Sequence, residues 1–599
     1  MRTRLAGLSR LCLFMLLAGL PLAFWASTDD HSNTAQFAYL WTVAAAGLAA
    51  LLLAEGMEGV RLGGVGPPLA GWVAVSVAAV PAAFRTGFAV YDLLGVLAGG
   101  AVAVLGARWL RDRGGRRAAG TLLIAATLAV TGYALLQYAG IDYVRWALDY
   151  GGRRPVATMG NPNFLAGHLV TILPLAVVLL LGERGTFAKT ACGAAFAASA
   201  ATIFVSQTRG AWIAAVVSLA VTGWILRRHV PALLAANARW LMALAAVAAL
   251  AGVVEIARNP AMRERVATLA HPDVSAHARR LSYWHACLRL WREHPVAGLG
   301  AGSFRHGYAL ELAAVLPKAD QAEFVHSYSE VHAHNDWLEM LAERGILGAG
   351  LFIWVVAAAV RCALRGLRRG AAEARLAAGL CGGFVALGVH ALFNLPLHVA
   401  PTLALLWAGV GQAVALDAPS SGRARPVGWI GSAAAVAAVA IGVLAALQMR
   451  TSCWSRIGME GMRRTNWSLV GYAYEQADKT DWIDRREAFY MASARAQLGD
   501  LAEAERLYLV EIARNPYFMD GWANLGAVYG RAGRVDDAIR TSRRAIELNP
   551  AYAEAYVNCG IALMSRGKRW EAVAEFTRAL ALDPGNATAR AALAQIGKR

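Results

Sequence analysis

The sequence predicts an all-α protein in two parts: a polytopic membrane domain of about thirteen transmembrane helices followed by an α-solenoid tail. Three observations carry this. Apolar runs of about 20 residues, the length of a bilayer-crossing helix, recur through the first three quarters of the chain. Arginine gathers in every second connection between them. The last part of the chain repeats itself every 34 residues.

Composition agrees with the first observation. The 599 residues are 57% hydrophobic and only 16% charged, where a soluble domain carries about 25% charge. Spans read near residues 8–26, 37–54, 69–84, 88–106, 119–138, 164–182, 187–206, 210–226, 240–257, 345–361, 375–393, 399–416 and 428–447. The first begins in "MRTRLAGLSRLCLFMLLAGLPLAFWAS", which has the basic, apolar, small-residue order of a signal peptide. With so many spans behind it, a retained helix is expected.

Arginine sets the orientation. One side receives Arg2, Arg4 and Arg10, then Arg61, the group Arg108 to Arg117, Arg184 with Lys189, Arg227 and Arg228, Arg361 to Arg369, and Arg423 with Arg425. That side is cytoplasmic by the positive-inside rule. The opposite connections, such as "STDDHSNTAQ" and "NLPLH", carry few basic residues. The longest loop, about residues 258–344, then falls outside, and an odd span count puts the C-terminal tail there too.

The formal charge of +18, from 58 Lys+Arg against 40 Asp+Glu, lies mostly in these short loops. No basic stripe with interleaved aromatics occurs, which argues against nucleic acid as a partner. The seven cysteines form no CxxC pair, so neither a disulfide framework nor a cysteine zinc site is expected.

In the tail, Pro516, Pro550 and Pro584 stand 34 residues apart, as do Gly499, Gly533 and Gly567, and Ala504, Ala538 and Ala572. Trp522 and Tyr556 keep the same phase. This resembles the tetratricopeptide repeat, a helix pair with small residues at the close contact and a proline ending the second helix. The expected division is a membrane domain over 1–447, a linker over 448–479 rich in Arg and Trp and suited to a membrane surface, and repeats over 480–599. A solenoid of this kind presents a concave face to a protein partner.

Four polar clusters are candidates for chemistry, and the topology puts all four outside. "GNPNFLAGHL" places Asn161 and Asn163 at the start of a span, where a helix cap is the simpler reading. "SQTRGAW" holds Arg209 in a connection too short to leave the interface. "RRLSYWHACLRLWREHPVAGLGAGSF" contains Arg280 and repeats Leu281, Trp284, Leu288 and Trp291 at helical spacing, as in a helix lying in the interface plane. Its "GLGAGSF" lacks the Lys-Ser/Thr ending of a phosphate loop. "VHAHNDWLEMLAERGILGAG" sets His332 and His334 before a helix on which Asn335, Glu339 and Glu343 share a face. The HxH pair has no zinc spacing around it, so no metal is expected. Arginines at an interface suit a phosphate, and a neutral histidine suits proton abstraction from a hydroxyl.

"TRGAW", "RLSYW…HPVAGLGAGSF" and "HNDWLEMLAERGILG", in that order over roughly residues 120–420, resemble the O-antigen ligase family, with its related polysaccharide polymerases and protein O-oligosaccharyltransferases. The resemblance implies a cofactor-free, metal-independent, inverting transfer in the bacterial inner membrane, with the N-terminus cytoplasmic and the repeats periplasmic. The donor would be a glycan on undecaprenyl diphosphate, and the acceptor lipid A-core, a growing glycan or a protein. By the same resemblance Arg209 and Arg280 would bind the diphosphate and His334 would activate or position the acceptor hydroxyl, with Asn335, Glu339, Asn161 and Asn163 as lesser candidates for shaping the site. A polymerase, a protein O-oligosaccharyltransferase, and a non-enzymatic scaffold or transporter are the alternatives.

Overall fold

The computed structural model describes residues 1–25, 33–56, 62–83, 86–142, 144, 154–229, 231–270, 274–305, 332–417, 428–483 and 485–597. Arg61, Arg423 and Arg425 of the expected basic loops, and 306–331 of the long outer loop, lie outside these residues.

Among the described residues every regular element is a helix. The membrane part comprises α1 (Arg2–Ala18), α2 (Asn33–Glu55), α3 (Gly66–Ala78), α4 (Thr86–Trp109), α5 (Arg113–Tyr138), α6 (Pro162–Gly182), α7 (Thr186–Val205), α8 (Arg209–His229), the short α9 (Pro231–Ala236), α10 (Ala238–Arg258), α11 (Pro260–Ala270), α12 (Val274–Glu293), α13 (Asp336–Gly366), α14 (Ala371–His390), α15 (Ala400–Asp417) and α16 (Gly428–Arg463). Each expected span coincides with one of them. Ten described helices are long and apolar enough to cross a membrane. The helices on the first and third spans are shorter, at 17 and 13 residues. Trp41 and Trp407, both at most 1% exposed, sit in a core that runs through α2, α4, α13 and α15.

The two ends of this bundle differ. At one, arginines pair with carboxylates of neighbouring helices: Arg108 with Glu55 at 2.6 Å, Arg116 with Glu373 at 3.6 Å and Arg365 with Asp417 at 2.8 Å. The starts of α2, α4, α6, α13 and α15 meet at the other end, where the tail also docks.

The tail comprises α17 (Trp467–Asp478), α18 (Glu487–Leu498), α19 (Leu501–Arg514), α20 (Met519–Arg531), α21 (Val535–Leu548), α22 (Ala553–Ser565), α23 (Arg569–Leu582) and α24 (Ala587–Gly597). The 34-residue signals have local causes. Gly499, Gly533 and Gly567 all adopt left-handed φ (91°, 76° and 79°) at the turn between paired helices, where a side chain would be strained. Ala504, Ala538 and Ala572 are 0% exposed, so nothing larger fits. Trp522 Nε1 and the Tyr556 hydroxyl donate to the carbonyls of Pro516 and Pro550 at 2.8 and 2.9 Å, which ties each repeat to the preceding proline turn.

The stretch expected as a surface linker is itself helical. Residues 448–463 continue α16 without a break, and α17 folds back on them, with Gly458 against the Tyr474 ring and Gly461 against Val470. Its tryptophans and tyrosines close a helix pair: Trp454 lies 5.7 Å edge-on from Tyr472.

Candidate functional site

The stretch "HAHNDWLEMLAERG" builds the site from a capped and broken helix. Asn335 caps α13, its side chain accepting from the amides of Trp337 and Leu338, both at 3.1 Å. His334 just before it has φ 52°, unusual for a non-glycine residue, and turns the chain into the helix. At Gly345 (φ 60°, ψ −170°) the helix is kinked.

The glycine-rich segment fills that break. Leu299 and Gly300 amides donate to the carbonyls of Ala342 and Glu343, both at 2.9 Å, and the amides of Ile346 and Leu347 donate to Pro295 and Val296 at 3.0 and 3.2 Å. A Cβ on Gly345 would collide with the Val296 carbonyl, and one on Gly298 with Glu343. "GLGAGSF" is therefore a close-packing segment that satisfies the broken helix, whose interrupted turns leave backbone groups in need of partners.

Glu339 and Glu343 share one face of α13 and receive this loop, while Asn335 is spent on the helix cap. Phe304 N donates to Glu343 at 3.0 Å and Ala333 N to Glu339 at 2.7 Å. The α12 helix packs on this face too. Its buried stripe is Tyr283, Ala286, Cys287 and Leu290, packed on Phe304, Ala333 and Ala342. Trp284 is only half-buried and Leu281 is 49% exposed. The smaller side chains face the protein because α12 lies close against α13.

Beside this face lies a cavity of about 570 Å³. His332, Asp336, Glu339, Arg344 and His398 line it, with Phe37, Trp72, Phe88 and Tyr91 among its aromatic wall. The His332 Nδ1 lies 2.7 Å from Glu339 Oε1. Asp336 accepts from the Leu397 amide and holds His398 Nδ1, each at 2.9 Å. The two imidazoles are 4.4 Å apart, and His398 Nε2 reaches to 3.6 Å from Glu339. Burial, only partly offset by Glu339, pulls His332 below its ordinary range and favours the neutral ring. Burial opposes charge on His398 as well, but the hydrogen bond and charge of Asp336 outweigh it and push His398 up to about 10. Arg344 pairs with Asp92. His332, Glu339 and His398 also place one ligand atom each within 4.8 Å of one another, a set that could hold a divalent cation.

The other expected residues form a second group. Asn161 caps α6 and accepts from the Asn163 amide at 2.8 Å. Asn163 Oδ1 accepts from the Thr208 hydroxyl at 3.1 Å, which ties "GNPNF" to "SQTRGAW". Arg209 opens α8, and Gly210 beside it lies against Phe393 and Asn394. His390 packs on Gly167 and is reached by the field of Arg280. The Asp336 amide bonds the Ala391 carbonyl at 3.0 Å, so this arginine group borders the start of α13. The structure thus joins Thr208, next to Arg209, to Asn163, and leaves Arg280 near enough for its charge to act on His390. The cavity itself is lined by Glu339 but by none of Asn161, Asn163, Arg209, Arg280, His334 or Asn335.

His398, Asp336 and Arg344 were not singled out from the sequence. His398 lies in "NLPLH", noted only as a short connection poor in basic residues; no spacing ties it to His332.

A bundle of apolar helices with a polar, histidine-bearing cavity at one end, joined to a helical-repeat tail, defines a multi-pass membrane protein with a built site. Its family match follows: the O-antigen ligase model matches residues 194–353, which include Arg209, Arg280, His334 and Glu339, and a tetratricopeptide repeat model matches residues 531–596. No curated protein matches. Solved structures similar to the tail include the first tetratricopeptide domain of Spaghetti (RPAP3) bound to an HSP90 peptide, at 26% identity over 18% of this chain and 88% of that one, with a TM-score of 0.18. TTC0263, a thermophilic repeat protein from Thermus thermophilus, is 24% identical over 24% and 80%, with a TM-score of 0.23. MamA from Desulfovibrio magneticus is 16% identical over 25% and 94%, with a TM-score of 0.22.

Proposed function

We propose that this protein transfers a preassembled glycan from undecaprenyl diphosphate to a hydroxyl of lipid A-core or a similar acceptor, at the outer face of the bacterial inner membrane. The observation that carries the reading is the Glu339–His332 pair open to an aromatic-walled cavity within a chain matching the O-antigen ligase model. A neutral His332 that donates Nδ1–H to Glu339 keeps Nε2 as a proton acceptor, the arrangement of a general base oriented by a carboxylate.

In this mechanism the acceptor oxygen attacks the anomeric carbon and gives its proton to His332 Nε2. The carbon–oxygen bond to the diphosphate breaks, and undecaprenyl diphosphate departs with the electron pair. Attack opposite the leaving group inverts the anomeric centre. Arg209 and Arg280 meet the growing charge on the diphosphate, where a fork of donors is worth most. His334, between the arginine group and the cavity, positions the donor. The aromatic rings suit the faces of sugar rings and the polyprenyl chain. The step is drawn on side chains alone.

The test separates the two histidines. H332A in purified protein should lower kcat by about 10² or more while donor binding persists. H334A, R209A and R280A should weaken donor binding. Full turnover by H332A would remove the general-base assignment, and transfer lost on chelation and restored by zinc would give the cluster to a metal instead.

A further inference from the structure

The cavity is not walled by the membrane domain alone. Ser455, Met459, Tyr474, Ile483, Arg485, Arg486, Glu487 and Tyr490 line it from the start of the tail. The segment carrying them is pinned to the bundle. Trp482 donates to the Leu444 carbonyl at 3.1 Å and lies 6.3 Å from the Trp41 ring, and Gly87 at the start of α4 lies so close to Trp482 and Ile483 that a Cβ would collide with their backbone.

Two cavity arginines come from opposite sides of this junction. Arg305, from the loop after α12, lies over the Phe88 ring at 3.9 Å. Arg486, from the tail, lies over Phe518 at 4.6 Å and has φ 78°, a strained value for arginine that the surrounding structure must hold. Glu343 and Glu339 act on Arg305 and Asp520 faces the charge of Arg486, but each carboxylate also serves another partner. Glu343 accepts from Phe304 N, and Asp520 bonds Tyr552. Glu487, pushed up to about 9 by burial and by Asp481, is protonated at neutral pH and adds no negative charge. The backbone amide of Arg485 donates to Asp481, and its guanidinium meets the side-chain oxygen of Gln448. Arg305 is pulled down to about 10, chiefly by burial, with the charges of Arg486 and Arg485 adding to it and those of Glu343 and Glu339 opposing it. Like charges held together in an enclosed space repel, and a bound anion relieves that repulsion.

We propose that the tail completes the substrate chamber, and that Arg486 of the tail and Arg305 of the membrane domain clamp a phosphate group borne by the acceptor. The clamp rests on the glycan-transfer reading, in which Arg209 and Arg280 already serve the donor diphosphate. The tail is then a working wall of the chamber and more than a recruitment platform. Its position fixes the distance between the two guanidinium groups.

The test uses the full-length protein in detergent. Because residue 486 has a positive φ, R486G removes the side chain without strain, and R486K keeps the charge without the fork. Inorganic phosphate binding, followed by calorimetry, should weaken at least tenfold in R486G and in R305A, and weaken less in R486K. In transfer assays, R486G and R305A should raise KM for a phosphorylated acceptor at least tenfold, leaving KM for the donor and for a dephosphorylated acceptor unchanged. A raised donor KM alone would assign the clamp to the donor diphosphate and overturn the acceptor role. Phosphate binding that survives in both R486G and R305A, with each variant melting as the parent does, would overturn the clamp and leave the transfer reading standing. Arginine-dependent phosphate binding in a protein that transfers no glycan would keep the clamp and remove the transfer reading.

Discussion

Glu339 serves two ends at once: it holds His332 in one orientation and accepts the Ala333 amide that brings the loop to the helix. E339Q should therefore lower kcat by about 10² or more and also weaken the hold on Ala333, which a lower melting temperature would report. The neighbouring pair makes a pH prediction. His398 is raised from 6.5 to about 10 in the fold. Between these values the native state keeps a proton that the unfolded chain has released, so this contribution to stability is full below about pH 6.5 and fades as pH rises towards 10. D336N should return the His398 titration towards its ordinary range by NMR and flatten the melting temperature in that window; an unchanged titration would show that Asp336 is not the cause. At this scale the sequence was partly legible. Glu339 was visible from helical spacing, while the HxH pair pointed to His334 and the cavity is lined by His332. His398 was not, because the fold brings it from 62 positions beyond Asp336.

At the scale of elements, the kink in α13 decides the site. Gly345 has a positive φ and no room for a Cβ beside Val296. G345A should destabilise the protein by at least ~1 kcal/mol, lower the melting temperature and reduce transfer. G350A, where a Cβ meets nothing within 4 Å in the same helix, should be neutral or slightly stabilising by the same measurement. The helices themselves were legible because an uninterrupted apolar run of bilayer length seldom occurs except in a membrane span. The role of "GLGAGSF" was not, since a close backbone approach and a phosphate loop both call for glycine. The stripe of α12 that packs on α13 was not legible either, because the helix carries two apolar stripes and only the packing distinguishes them.

For the whole molecule, each of the thirteen expected spans falls on a helix, and ten described helices are long and apolar enough to cross a membrane. A reporter fused at the C-terminus should be active only as a periplasmic one, and a reporter inserted between residues 110 and 113 only as a cytoplasmic one. Activity of both on the same side would remove the parity and the placement of the site. The two-part division was legible from the change in period. The docking of the tail against the cavity was not, because the residues that make it, such as Trp482 and Gly87, carry no local pattern that links them.

The 36-residue α16 passes from bundle to tail as one continuous helix, about 54 Å long. Such a shaft transmits rotation as well as height. Adding residues within 448–452 would turn everything beyond by about 100° each, so one or two extra residues would swing Arg486 away from Arg305. Four would bring it back to within about 40° of its original bearing, one turn higher. Activity should therefore rise and fall with helical phase as residues are added, and a smooth decline with length would mean that the tail is tethered rather than geared to the bundle.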